Sequence, residues 1–285
     1  MTLSRSTVSA LLGWAAARLE QAGVEQPGLE AQLLLGHSAG WGRAFLIAHP
    51  DAVVDEAAQT AFERLVEARA ERVPLAYLTG TREFFGRCFQ VGPAVLIPRP
   101  ETELLVEAAL AALSRYPPAA RPRVLDVGTG SGAVAVTLAL EAPRARVFAS
   151  DLSLAALRVA AANAARLGAR VRCFQADLLA ALRVPVDVLV ANLPYVSAEE
   201  LAAAAPEVRD HEPRLALLGG ARGTEVVERL LAQLGEVLAP GGVALLEIGW
   251  QQAEPLRQAA RARKLAAEVL RDAAGLERVL RLTHG

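Results

Sequence analysis

The chain has 285 residues, a formal net charge of −1, 53% hydrophobic residues and two cysteines, Cys88 and Cys173. That length has room for two domains and a sizeable core. The near-neutral balance argues against an electrostatic nucleic-acid binder, and two distant cysteines without a C-x-x-C exclude a cysteine-built zinc site and fit a reducing cytoplasm. No run of 18 apolar residues is free of charge, and the N-terminus lacks a basic segment followed by an apolar core. Neither a membrane span nor a secretory signal is therefore expected, and the chain reads as cytoplasmic.

Residues 1–73 read as a helical domain. Val8, Leu11, Leu12, Ala15 and Leu19 form one apolar stripe at helical spacing, and further helices are expected over 29–37, 41–48 and 55–72. Nine acidic residues stand against six basic ones here, which suits a protein-binding or structural role better than a nucleic-acid one. Residues 74–95 turn strand-like through Tyr77, Thr79, Thr81, Phe84, Phe85, Cys88, Phe89 and Val91, and predict a β-hairpin joining two domains. In Leu-Ile-Pro-Arg-Pro-Glu-Thr-Glu, residues 96–103, each proline favours an extended predecessor, so a helix through Leu113 starts at Glu101 or Thr102. That stretch either lines a pocket or simply leads into the helix. From Arg123 onward strands alternate with helices. Strands are expected at 124–126, 147–150, 171–175, 186–191 and 243–248, and helices at 131–141, 154–167, 224–238 and 251–264. Two β-leaning stretches follow at 265–270 and 276–282. Such alternation predicts an α/β, Rossmann-like doubly wound sheet over residues 96–285.

The turn Asp126-Val-Gly-Thr-Gly-Ser-Gly-Ala joins the first of these strands to its helix. Glycines at 128, 130 and 132 permit positive φ and close approach of a ligand, and the helix start offers free N–H groups. Gly128, Gly130 and Ala133 satisfy the dinucleotide fingerprint G-x-G-x-x-G/A. Asp126 and Gly132 add the D-x-G-x-G-x-G spacing, which resembles S-adenosylmethionine (SAM) methyltransferases. In either reading Asp151, at the end of the next strand, suits the ribose hydroxyls. Asp177 or Leu178 then falls near the adenine.

Asn192-Leu193-Pro194-Tyr195 ends an apolar strand and is the sharper signal. An amide or exocyclic amine has a delocalised lone pair and is a poor nucleophile. The Asn192 side-chain oxygen and the Pro194 carbonyl can each accept one of its N–H groups, and Tyr195 can stack on the flat group. That is catalysis by positioning and electrostatics. With the glycine turn, the tetrapeptide resembles the [N/D]-P-P-Y motif of methyltransferases acting on a planar nitrogen.

Further matches extend the likeness along the chain: Arg82-Glu83-Phe84-Phe85-Gly86, residues 96–103, Glu212-Pro213, Ala216-Leu217, Gly219-Gly220 and Glu247-Ile248-Gly249. Together they resemble the peptide chain release factor glutamine N5-methyltransferases. The resemblance implies a SAM-dependent enzyme that methylates the glutamine of the Gly-Gly-Gln motif in release factors. It implies cofactor contacts at Gly128, Thr129, Gly130, Ser131, Gly132, Asp151, Asp177, Leu178 and Asn192. It places substrate binding on Asn192, Leu193, Pro194 and Tyr195, with Asn192, Pro194 and Tyr195 catalytic. Residues 1–73 become a substrate-recognition domain, 74–95 the hairpin linker and 96–285 the methyltransferase domain. Leu193 stands where the family has its first proline, and Leu178 where many members carry a bulky aromatic. Related alternatives are a ribosomal-protein glutamine methyltransferase and a nucleic-acid adenine or guanine amine methyltransferase, the latter opposed by the charge balance. An NAD-linked oxidoreductase explains the glycine turn but leaves residues 192–195 without a purpose. His37, His49, His211 and His284 show no metal spacing, and no metal is expected.

Overall fold

A computed structural model describes residues 6–285, which divide into two compact units. The first holds the chain up to Gly80 together with Ala205–His211. Its helices are α1 (Val8–Gln21), α2 (Pro27–Ala39), α3 (Arg43–Ala48), α4 (Glu56–Ala70) and α5 (Leu75–Thr79). Thr7 and Asp55 cap α1 and α4 by accepting the Ala10 and Ala58 N–H groups, which have no partner within their helices. Val8, Leu11, Ala15 and Leu19 of α1 are buried with Leu34, Leu35, Phe62 and Val66 in one core. Tyr77 and Thr79, strand-like in sequence, lie instead in the short helix α5. Pro74 precedes it and Gly80 closes it at φ +71°, so the local punctuation outweighs the β propensity of five residues. Glu207, from a single π turn over Glu207–His211, meets Arg69 at 2.9 Å and Arg72 at 2.7 Å.

The second unit opens with a hairpin, β1 (Thr81–Phe84) and β2 (Arg87–Gln90). Phe85 (φ +51°) and Gly86 (φ +67°) form its two-residue turn, both in the left-handed region that twists with the strands. A 3₁₀ turn at Pro100–Thr102 runs into α6 (Glu103–Leu113). Then follow β3 (Arg123–Val127), α7 (Ala133–Glu141), β4 (Arg146–Asp151), α8 (Leu154–Leu167), β5 (Val171–Gln175) and β6 (Val186–Ala191). Next come β7 (Val196–Ser197), α9 (Ala198–Ala203), α10 (Arg214–Leu217), β8 (Leu218–Gly220), α11 (Glu225–Val237), β9 (Leu238–Glu247), α12 (Ala253–Arg261), β10 (Leu265–Arg271) and β11 (Glu277–His284).

The main sheet has the order β10-β11-β9-β6-β3-β4-β5. Strands β3, β4, β5, β6 and β9 are parallel, and β11 pairs antiparallel with both of its neighbours. The parallel strands read as near-continuous apolar runs because helices cover both faces. Two buried clusters fill those faces, one around Leu189, Leu230 and Leu246, the other around Val124, Leu138 and Val190. The chain moves outward from β3 to β5, then returns to place β6 on the other side of β3. That reversal opens a crevice at the carboxyl ends of β3, β4 and β6. Among the described residues no helix is long and apolar enough to cross a membrane.

Candidate active site

A cavity of about 230 Å³ occupies that crevice. Its lining takes Gly128, Thr129, Gly130 and Ser131 from the turn after β3, Asp151 from β4, Asp177 and Leu178 after β5, and Asn192, Leu193 and Pro194 after β6. Strands that end side by side thus bring these residues together from 67 positions of sequence, Gly128 to Pro194. Gly132 and Tyr195 do not line this cavity. A Cβ on Gly132 would lie 3.0 Å from that of Ala160, so this glycine lets α7 and α8 approach closely.

Asp126 organises the turn from below. Its Oδ2 accepts from the Thr129 hydroxyl at 2.7 Å and from the Ala135 N–H at 3.2 Å, tying the end of β3 to the first turn of α7. Burial raises its pKa to about 7. Asp151 accepts from the Gly130 N–H at 2.9 Å and, through its other oxygen, from the Ser153 N–H at 2.8 Å. Each carboxylate oxygen has a second lone pair, so capacity for two further donors remains. A Cβ on Gly130 would meet nothing within 4 Å, which leaves the turn open to a ligand. Leu178 holds φ +51°, rare for a leucine, and is buried, whereas the Asp177 carboxylate is ion-paired with Arg229 at 2.6 Å.

Asn192 donates through Nδ2 to the Thr102 hydroxyl at 3.1 Å. Leu193 is buried, and its Cδ2 lies 3.0 Å from where a Gly128 Cβ would stand. The Tyr195 hydroxyl donates to Glu247 at 3.3 Å, and burial beside that carboxyl pushes the phenol pKa up. The following loop is pinned by backbone contact. Strand β7 pairs with β8, and a Cβ on Gly219 would stand 2.5 Å from the Pro194 carbonyl oxygen. Gln252 donates to the Tyr195 carbonyl at 2.8 Å while accepting from the Gly249 N–H at 3.0 Å. Across the cavity Glu212 accepts from the Ile97 N–H at 3.1 Å and pairs with Arg99, holding residues 97–99 against the site.

Residues 10–80 match the family described as the PrmC N-terminal domain, and 102–209 the methyltransferase small domain. Among curated proteins, the release factor glutamine methyltransferase of Koribacter versatilis is 44% identical over 90% of each chain. That of Bordetella pertussis is 46% identical over 89% of this chain and 93% of its own. The chain belongs to the release factor glutamine methyltransferase family. Solved structures agree on the fold of the second unit. A Pyrococcus furiosus methyltransferase superposes with a TM-score of 0.53 at 16% identity, covering 77% of this chain and 98% of its own. The T. thermophilus 16S rRNA N2 G1207 methyltransferase gives 0.52 at 20% identity, over 72% and 50%.

S-adenosylmethionine is the cofactor of this methyltransferase fold, and the open Gly130 turn with spare acceptor capacity on Asp151 fits it. Among the described residues no group of histidine, cysteine, aspartate and glutamate side chains is placed to hold a metal ion. Four members of the site carried no assignment from sequence. Thr102 sits in the stretch 96–103, which reads equally well as a pocket lining or a helix lead-in, and Glu247 ends a strand. Gln252 acts on a carbonyl 57 positions away. Asn163, wholly buried on α8, holds the Ser131 carbonyl and both backbone groups of Gln90, joining the glycine turn to the hairpin. Thr102 and Glu247 carried a signal, as parts of residues 96–103 and of Glu247-Ile248-Gly249; Gln252 and Asn163 carried none.

Proposed function

We propose that this chain methylates the side-chain amide nitrogen (N5) of the glutamine in the Gly-Gly-Gln motif of peptide chain release factors. One observation carries the reading: Asn192 and Pro194 line the same cavity as the glycine turn and Asp151. The name that these relatives share supplies the substrate class.

When bound, S-adenosylmethionine supplies a methyl group on a positively charged sulfur. Gly128, Thr129, Gly130 and Ser131 would receive it along the backbone of the turn, and Asp151 would accept from its ribose. Leu178, with Asp177 at the rim, would pack toward the adenine. Gly132 serves by holding α7 close to α8. Asn192 Oδ1 and the Pro194 carbonyl each accept an N–H of the incoming glutamine amide. That fixes the nitrogen in one orientation and raises its electron density. Leu193 and Tyr195 complete the loop around the amide plane. The nitrogen would gain the methyl group as the bond from that carbon to sulfur breaks and leaves a neutral thioether, and would lose to solvent one proton, which turns acidic once the methyl is attached. Acceptors at fixed positions therefore suffice, and no strong base is required. Residues 1–73 act in recognition of the protein substrate, with 74–95 as linker and 96–285 as the catalytic part.

Incubation with labelled S-adenosylmethionine and purified release factors, followed by peptide mapping, tests the reading. Label is expected on the glutamine of Gly-Gly-Gln. Label confined to a ribosomal protein or to nucleic acid in parallel incubations overturns it.

A further inference from the structure

Gln252 stands at the N-cap position of α12, where a short polar side chain would satisfy an unpaired N–H of its own helix. It makes no such bond. Its amide reaches across instead and joins two backbones. Oε1 accepts from the Gly249 N–H at 3.0 Å, and Nε2 donates to the Tyr195 carbonyl at 2.8 Å. Chemistry fixes the direction of this amide, because a backbone N–H only donates and a carbonyl only accepts. Turned over, it would set donor against donor and acceptor against acceptor. Gln252 is buried, so losing either bond strands a polar group away from water.

Two glycines keep room for the amide. A Cβ on Gly249 would lie 3.0 Å from Gln252 Cδ, and one on Gly223 2.8 Å from Nε2. The short segment 247–252 thus holds Tyr195 at both ends, its carbonyl through Gln252 and its hydroxyl through Glu247 at 3.3 Å. Behind the loop, a Cβ on Gly219 would stand 2.8 Å from the Tyr195 Cα and 2.5 Å from the Pro194 carbonyl oxygen. A planar peptide whose two flanking Cα atoms are held can swing only about the line between them. Pro194, whose ring locks φ, restricts the near side of that peptide. Fixing the Tyr195 carbonyl restricts the far side and sets the direction in which the ring leaves the backbone. The Pro194 carbonyl between them is left pointing one way.

We propose that Gln252 is a positioning residue for methyl transfer: by holding the Tyr195 carbonyl it keeps the Pro194 carbonyl and the Tyr195 ring where the target amide meets them. Gln252 does not line the cavity and acts through Tyr195, so its effect belongs to turnover and not to cofactor affinity. The inference rests on the methyl-transfer reading, and the native enzyme in the same assay is its control. A native enzyme without activity fails that reading, whereas the variants below judge only the positioning.

The test uses two substitutions of similar size. Gln252→Met loses both hydrogen bonds. Gln252→Glu keeps an acceptor toward Gly249 but, when ionised, turns a second acceptor on the Tyr195 carbonyl; protonated, the same carboxyl donates there as the amide does. Burial and the facing carbonyl raise the pKa of a carboxyl at this position. Rates on a release factor at saturating SAM are compared with the native enzyme at the same pH, and SAM affinity is read by calorimetry. At about pH 8 both variants are expected to lose at least roughly tenfold in kcat, with SAM affinity within about twofold. At about pH 5.5 the glutamate variant is expected to return to within roughly threefold of native while the methionine variant stays low. General damage to the fold would not heal with pH in the glutamate variant alone. Should Gln252→Met fail to fold, the pH dependence of Gln252→Glu decides by itself. A glutamate variant at the native rate near pH 8, one that does not recover near pH 5.5, or a loss that falls on SAM affinity instead of kcat overturns the proposal.

Discussion

Asn192 ends β6 with one face of its amide engaged and the other free, and that asymmetry makes it the residue whose loss should be most selective. Asn192→Ala removes the acceptor proposed for the target nitrogen and leaves Thr102 with no amide partner. A preorganised hydrogen bond of this kind is worth on the order of a hundredfold or more in rate. We expect kcat to fall by at least that factor while the protein stays folded, with SAM affinity measured alongside; near-native turnover would refute the role. Leu193 presents the opposite case. Its N–H has no partner among the described residues, so proline there would remove no hydrogen bond. Pro194 already holds its own φ and biases residue 193 toward extended backbone. What leucine contributes is packing, 4% exposed and set against Gly128. Leu193→Pro is expected to keep methylation within roughly tenfold, about 1.4 kcal/mol of barrier, at some cost in melting temperature. A loss of activity well beyond tenfold, with SAM still bound, would show that the leucine does more than fill space.

At the scale of elements, the loop from Asn192 to Tyr195 is held by β8 and the turn that follows it. Residues 218–223 lie backbone against backbone on it. Added Cβ atoms would fall 2.5 Å from the Pro194 carbonyl oxygen at Gly219 and 2.3 Å from the Tyr195 carbonyl oxygen at Gly223. Neither neighbour is a flexible side chain, so the backbone itself must shift. Gly219→Ala is expected to cost roughly 1–3 kcal/mol of stability and to lower kcat by displacing the Pro194 carbonyl. SAM affinity should change little, because the glycine turn hangs on β3. Gly235→Ala on α11, where an added Cβ meets nothing, is the control and should hold native activity. Native kcat for Gly219→Ala would show that the carbonyl needs no such support. The same elements mark the reach of the sequence. Strand and helix alternation, the glycine turn and Asn-Leu-Pro-Tyr are local signals, written in period and spacing, and they place the sheet and its crevice. The pairing of β7 with β8 is a two-residue contact between segments 22 positions apart and has no period to read. Asn163 looked like any polar residue of an alanine-rich helix, because its role depends on what tertiary packing brings to it.

For the whole molecule, a half-buried carboxylate, Glu207, and a buried one, Asp126, make stability depend on pH with two opposite signs. Burial opposes ionisation of Glu207, but hydrogen bonds from Arg72 and Arg69 prevail and hold its pKa below the ordinary value. Its contribution is present above the unfolded pKa and is lost as pH falls through the lower folded value. Asp126 does the reverse. Its folded pKa is about 7 against a reference of 3.8. Between those values the native state binds a proton that the unfolded chain has released, so stability falls as pH rises from about 4 to about 7, by on the order of 4 kcal/mol in all. Asparagine at 126 cannot ionise. Both of the aspartate's hydrogen bonds end on one oxygen, Oδ2, so a single amide oxygen can accept them and keep the turn. Asp126→Asn is therefore expected to gain on the native protein by about 2–3 kcal/mol between pH 5 and pH 8, read from urea unfolding without cofactor. If the difference does not grow with pH, Asp126 is ionised throughout and the burial argument fails. Asp126 also lines the cavity proposed to take the positively charged cofactor. A cation there favours the ionised form, and by linkage ionisation favours the cation. SAM affinity should thus rise as pH passes through 7 in the native enzyme and stay flat in Asp126→Asn. The sacrifice in stability above pH 7 and the gain in cofactor affinity then trace to the same buried charge.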